Sequence, residues 1–417
     1  MSLNFIKGFI ERGGAWVFGS SLLVKILAFI LSIVVVRLVS IEEFAIISIY
    51  KNFFLIALPL LGLGLNHSLL YYGSKHRTKA KKSLLLLKCL ITAIFVLPIV
   101  FLLLYLVARF IPNFYFSTTI FTYAFFSYFS LFCFGCFLNY YRISEDNKLF
   151  SKINSFYSLF SLFVILSFVS FKADAEGYFI AQFLSSSIFS VSLLCFFWSD
   201  CKGLIKISYF KRFGFADSNH IKYGFVVALG SLASQLMLVA DTFMLSILGE
   251  ELSDIGIFSA ASFVFISLLF IPSVYMTTDF VHIAKCNEKE VRIYYKSYFF
   301  VMFPVVTIMV LPLLLIPEFI LYTIFGENYI NGSDCLKYFS IALLFSFLIR
   351  TPIGNILSAR GYANINVGIA IFFSIVNMGL NFILIPKYGI EGASIATTIT
   401  ISISSIVSLF FLKKKLG

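Results

Sequence analysis

Apolar runs of about 20 residues recur along the whole chain, each long enough to cross hydrocarbon as one helix. Inside a bilayer only helices and closed barrels satisfy all of their backbone polar groups. Uninterrupted runs of this length select helices. Twelve are expected: 14–38, 44–69, 84–107, 118–140, 153–171, 177–198, 223–248, 255–280, 297–317, 335–357, 364–385 and 391–412. The chain is 60% hydrophobic and 12% charged, whereas a soluble domain carries about 25% charged residues. The longest polar gap, 199–222, is too short for a folded catalytic domain. Activity therefore belongs among the helices, and the chain reads as a non-enzyme. The fold class expected is an all-α polytopic membrane protein.

An even number of spans places both termini on one side, and Lys and Arg decide which. Of 32 such residues, 24 fall on the face shared by the termini, 5 on the opposite face and 3 inside spans. Cytoplasmic termini follow. The net charge of +12 is mostly this topology signal. Nucleic acid is not an expected partner, because the basic residues are spread over short loops and form no single patch. No cleavable leader is expected, since the first apolar run is too long for one. Cys133 and Cys136 form a CxxC with no companion His or further Cys, and read as helix packing.

The 199–222 gap separates six spans from six, giving an N-lobe of 1–210 and a C-lobe of 211–417. Glu176-Gly-Tyr-Phe-Ile-Ala181 resembles Glu391-Gly-Ala-Ser-Ile-Ala396 at an offset of 215, and Gly19-Ser20 matches Gly230-Ser231 at 211. Two lobes of like orientation are a parallel repeat, expected to enclose a central cavity and to alternate access.

Charge inside spans is expensive and marks function. Lys25, Lys51 and Arg350 are the three interior cations, against one comparably deep acid, Asp241. An interior biased this way suits an anionic ligand. Lys25 shares a helical stripe with Ser21, Ala28 and Ser32. Lys51 adjoins Asn52, and its stem is also long enough to snorkel to an interface. Arg350 shares a stripe with Ser346 and Gly354, and reads either as a contact for the ligand or as a partner for the carbonyl that Pro352 frees. Gln235 joins Asp241 on the polar face of the seventh span, and Asn377 and Asn381 lie one turn apart on the eleventh. Asp241 reads either as a structural bridge or as an ion-coupling residue. Pro59, Gly62 and Gly64 make the second span the candidate bending helix.

Ordered motifs carry a resemblance. They are Asp241-Thr-Phe-Met-Leu-Ser-Ile-Leu-Gly249, Ile255-Gly-Ile-Phe-Ser-Ala-Ala261, Phe325-Gly-Glu-Asn-Tyr329, Ser358-Ala-Arg-Gly361 and Gly389-Ile-Glu-Gly-Ala-Ser-Ile-Ala396. Together they resemble bacterial polysaccharide exporters. The chain is similar to O-antigen flippases of the Wzx type, in the multidrug/oligosaccharidyl-lipid/polysaccharide superfamily. It departs with Phe258 where Tyr is commoner. The resemblance implies an inner-membrane flippase for undecaprenyl-diphosphate-linked repeat units, drawn from membrane lipid. It further implies association with an O-antigen polymerase and a chain-length regulator, function as a monomer, no cofactor or metal, and coupling to H+ or Na+. Lys25, Arg350 and Lys51 are then the diphosphate contacts. Ser21, Asn52, Gln235, Asn377 and Asn381 line the cavity, and Asp241 is the coupling residue. A multidrug antiporter of the same fold would want acids in its cavity. A polymerase or glycosyltransferase would want a larger outer loop than 318–334.

Overall fold

The computed structural model describes residues 14–76, 78–111, 113–144, 146–201 and 215–415. The basic residues expected at 202–212 and near the N-terminus lie outside the described residues. Fifteen α-helices are described: α1 Gly14–Leu38, α2 Ile41–Leu61, α3 Leu65–Lys75, α4 Lys79–Phe110, α5 Thr118–Ile143, α6 Asn147–Phe171, α7 Ala175–Cys201, α8 Ser218–Leu248, α9 Leu252–Leu268, α10 Phe270–Lys285, α11 Glu288–Leu315, α12 Pro317–Phe325, α13 Ser333–Phe345, α14 Thr351–Ala359 and α15 Ala363–Lys415. No strand occurs among the described residues.

Ten helical runs among the described residues are long and apolar enough to cross a membrane. The count differs from twelve at two places. The run Ala363–Lys415 joins two expected spans at Gly389, whose φ of 55° and ψ of −134° break the helix. Helix α8 covers the expected 223–248, and Val239–Leu248 is its apolar portion.

Helix ends are set locally. Ser117 and Asp146 cap α5 and α6 by accepting from backbone N–H groups, and Asn287 and Glu290 form a reciprocal capping box on α11. The second span breaks where its prolines and glycines sit. Pro59 has no N–H, α2 ends at Leu61, and Leu63 and Gly64 take positive φ values of 50° and 68°.

The chain divides into two compact units, Met1–Ser40 with Phe53–Leu232, and Ile41–Asn52 with Ala233–Gly417. In the first, α5 and α7 lie side by side. Ser130 bonds Ser187 at 3.0 Å, and Ser190 donates to the Ser130 carbonyl at 2.8 Å. Small hydroxylated residues let membrane helices approach closely, where apolar burial gives no net drive. Rings of Phe53, Phe54, Phe121 and Phe125 fill the layer beside them. In the second unit, Phe339 packs between Phe258 and Phe265 at 5.6 and 5.2 Å. Helix α15 is tied to α13 by Thr398, which donates to the Tyr338 carbonyl at 2.9 Å. The first half of α2 belongs to this unit, with Gly256 so close to the Ile41 carbonyl that a Cβ would meet it at 2.5 Å.

Candidate functional site

Asp241 on α8 is 6% exposed and is held entirely by neutral donors. Asn381 Nδ2 donates to Oδ1 at 2.7 Å, and Thr397 Oγ1 donates to Oδ2. Behind them, Asn377 Nδ2 donates to Thr397 Oγ1 at 3.1 Å, and Asn381 Nδ2 also reaches Asn377 Oδ1 at 3.2 Å. The spacing of four between Asn377 and Asn381 puts both on one face of α15. Thr397 comes from beyond the Gly389 kink, so the kink folds the second half of α15 back onto the first half's polar face. A cavity of about 10 Å³ adjoins the carboxylate, lined also by Asn52, Thr242 and Ser262. That is close to the lower limit for one water.

The chemistry of the cluster follows from its atoms. A buried carboxylate without a counter-charge is costly. Its donors here leave one more buried oxygen, Asn381 Oδ1, without a hydrogen-bond partner among the described residues. Carboxylate, amide and hydroxyl oxygens are the ligands of small hard cations. The set fits a proton or a single alkali cation.

Arg350 sits in a different setting of the same unit. Residues Ser346–Arg350 form a π-turn between α13 and α14, directly before Pro352. Pro352 cannot bond the Leu348 carbonyl, and Tyr295 Oη fills that gap at 3.1 Å while Tyr298 Oη bonds the Phe347 carbonyl at 2.9 Å. The freed carbonyl is thus satisfied by tyrosine and not by Arg350, which sets aside the structural one of its two readings. Arg350 instead donates from Nη1 to Asn366 Oδ1 at 2.8 Å. Its Nε is buried without a hydrogen-bond partner among the described residues.

The remaining expected residues are placed as follows. Lys25 is exposed and Ser21 half-buried on α1, which packs on α6. Lys51 is half-buried on α2, and Gln235 half-buried on α8. The structure joins Asn52, Asp241, Asn377 and Asn381 into one cluster within the second unit. Thr397 and Asn366 were not singled out from the sequence. Cys133 and Cys136 are free thiols, and Cys136 Sγ bonds Asn66 Oδ1 at 2.7 Å. No group of three or more metal-ligating side chains occurs among the described residues.

Comparison with known proteins adds the following. The family described as polysaccharide biosynthesis protein matches residues 10–278. An uncharacterised membrane protein of Methanocaldococcus jannaschii is 32% identical over 213 residues, covering 48% of each chain. The capsular polysaccharide biosynthesis protein CapF of Staphylococcus aureus is 31% identical over 101 residues, 24% of this chain and 25% of that one. The matches thus span about half or less of these relatives' lengths. Among solved structures, lipid II flippase MurJ in an inward closed conformation superposes with a TM-score of 0.75 at 18% identity, covering 95% of this chain and 87% of that one. An inward-facing multidrug resistance MATE transporter of the MOP superfamily gives 0.67 at 13% identity, covering 94% of both. The fold is the one these transporters share.

Proposed function

This chain belongs to the polysaccharide biosynthesis protein family, and from that premise we propose that it is a flippase for lipid-linked oligosaccharides. Its cargo in this reading is an O-antigen repeat unit on undecaprenyl diphosphate, moved from the cytoplasmic to the periplasmic leaflet of a bacterial inner membrane. Both termini are cytoplasmic. The chain works as a monomer beside an O-antigen polymerase and a chain-length regulator.

The observation that carries this reading is Arg350. A guanidinium is always charged, and its buried Nε keeps one N–H without an acceptor among the described residues. A buried donor without an acceptor costs about 1–3 kcal/mol, more when charged. A diphosphate oxygen supplies the missing acceptor. Lys51, in the same unit, and Lys25, in the other, are further point charges offered to an anionic cargo. The polyprenyl tail stays in lipid while Ser21, Asn52 and Gln235 meet sugar hydroxyls. Asp241, with Asn377, Asn381 and Thr397, takes up the H+ or Na+ that resets the cycle.

Complementation of a flippase-null strain carrying a defined repeat unit tests the function directly. The wild-type chain restores O-antigen at the cell surface. Lys25→Ala and Arg350→Gln insert normally and lower export by about tenfold or more, the loss of a charged hydrogen bond. Normal export by both variants would sink the cationic diphosphate site, and no rescue by the wild-type chain would sink the flippase assignment.

A further inference from the structure

A second polar cavity lies in the first unit and shares no residue with the site proposed above. Its volume is about 510 Å³, within the 300–1,000 Å³ range of small-molecule sites. Four helices meet there at their ends. Lys79 and Lys82 come from the first turns of α4, and Tyr141 and Ser144 from the end of α5. Asp146 caps α6, and Phe196 lies near the end of α7. A spanning helix ends at the headgroup layer, so the cavity sits at that depth.

Its lining is divided by chemistry. Lys82 spends one N–H on the Ile143 carbonyl at 2.6 Å, which fixes the ammonium over the α5–α6 connection. Ser144 Oγ is buried with no hydrogen-bond partner among the described residues. The Lys79 and Lys82 ammonium groups at the lining and one unsatisfied hydroxyl together suit a phosphate. Asp146 argues against a purely anionic ligand: Oδ1 takes the Leu149 N–H at 2.9 Å, yet the carboxylate charge lines the cavity. An ammonium on the ligand resolves that conflict. Phe196, 51% exposed, supplies an apolar flank at the same rim. A free phosphate has no use for either the acid or the ring.

We propose that this cavity binds the headgroup of a zwitterionic phosphoethanolamine lipid. The phosphate lies against Lys79, Lys82 and Ser144, the ammonium against Asp146, and an acyl chain leaves past Phe196. The site holds a structural or regulatory lipid, independent of the transported cargo.

Native mass spectrometry of the full chain released from mild detergent, with added phosphatidylethanolamine or phosphatidylglycerol, tests this. The wild-type chain retains phosphatidylethanolamine about tenfold better than phosphatidylglycerol. The paired change Lys79→Gln with Lys82→Gln weakens retention about tenfold or more, as expected for lost charge-assisted bonds. Asp146→Asn preserves the helix cap, because Asn caps as well as Asp, and removes the preference between the two lipids. It carries the test if the paired lysine variant does not fold. Unchanged retention in the lysine variant, or an unchanged preference in Asp146→Asn, overturns the assignment. So does retention of inorganic phosphate with no lipid bound.

Discussion

Thr397 links the two parts of the Asp241 cluster, because one oxygen both accepts from Asn377 and donates to the carboxylate. Replacing it by valine keeps the shape and removes both bonds. Thr397→Val should therefore cost about 1.5–3 kcal/mol, the range for a hydrogen bond to a charged group. The expected readout is a lower melting temperature of the detergent-solubilised protein. Combining it with Asp241→Asn should recover part of that loss, since a neutral amide needs the hydroxyl less, and a double-mutant cycle should give about 1 kcal/mol of coupling. A cycle that closes additively would remove Thr397 from the cluster. Asp241 was legible as the lone deep acid, and Asn377 and Asn381 as one polar stripe. Thr397 was not, because it stands among Thr398, Thr400 and Ser402 with nothing in the sequence to separate them. Among the described residues its neighbour Thr398 bonds only backbone carbonyls, of Ser394 and Tyr338. Which hydroxyl meets the carboxylate depends on the Gly389 kink, and that is a tertiary fact.

Helices in this chain are interrupted for two distinct reasons, and glycine substitutions separate them. Gly64, between α2 and α3, has φ of 68°, and an added Cβ would sit 1.9 Å from the Gly224 carbonyl oxygen. Gly389 has φ of 55° as well, but its nearest neighbour, the Glu250 carboxylate, would lie at 3.6 Å, an ordinary contact. Backbone strain costs about 1–2 kcal/mol for a residue with a Cβ at Gly64, whose ψ of 14° is left-handed helical, and about 1–3 kcal/mol at Gly389, whose ψ of −134° lies where only glycine sits readily. Overpacking adds about 1–3 kcal/mol, and at Gly64 the clash is with backbone that cannot rotate away. Gly64→Ala should lower the melting temperature clearly more than Gly389→Ala, measured side by side in one detergent. Equal losses would mean that the close approach to Gly224 yields at no cost. The break in the second span was legible, since Pro59, Gly62 and Gly64 announce it. The π-turn before Pro352 was half legible. The proline marks a freed carbonyl, but the tyrosine that satisfies it, Tyr295, comes from α11, 53 residues back in sequence.

At the scale of the whole molecule, the offsets that align the expected repeat carry motifs across the two halves but not charge. The offset of 215 that aligns Glu176-Gly with Glu391-Gly pairs Thr397 with Gln182, Asn377 with Leu162 and Asn381 with Leu166. The 211 offset pairs Asp241 with Ile30. The first unit thus holds one buried amide where the second holds a carboxylate and three polar partners. Gln182 is 9% exposed, and its Oε1 lacks a hydrogen-bond partner among the described residues. A neutral amide cannot neutralise a cation, so in the ion-coupled reading proposed above the coupling residue is Asp241 and not Gln182. One site per chain predicts that transport in reconstituted vesicles rises hyperbolically with the coupling ion, with a Hill coefficient near one. Cooperativity above one requires at least two interacting sites. Asp241→Asn should abolish the ion dependence, and Gln182→Ala should leave it intact, although removal of a buried polar group alters stability. Sigmoidal ion dependence that Gln182→Ala converts to hyperbolic would instead place a second ion in the first unit. Ion dependence unchanged by Asp241→Asn would leave the cluster a structural bridge between α8 and α15.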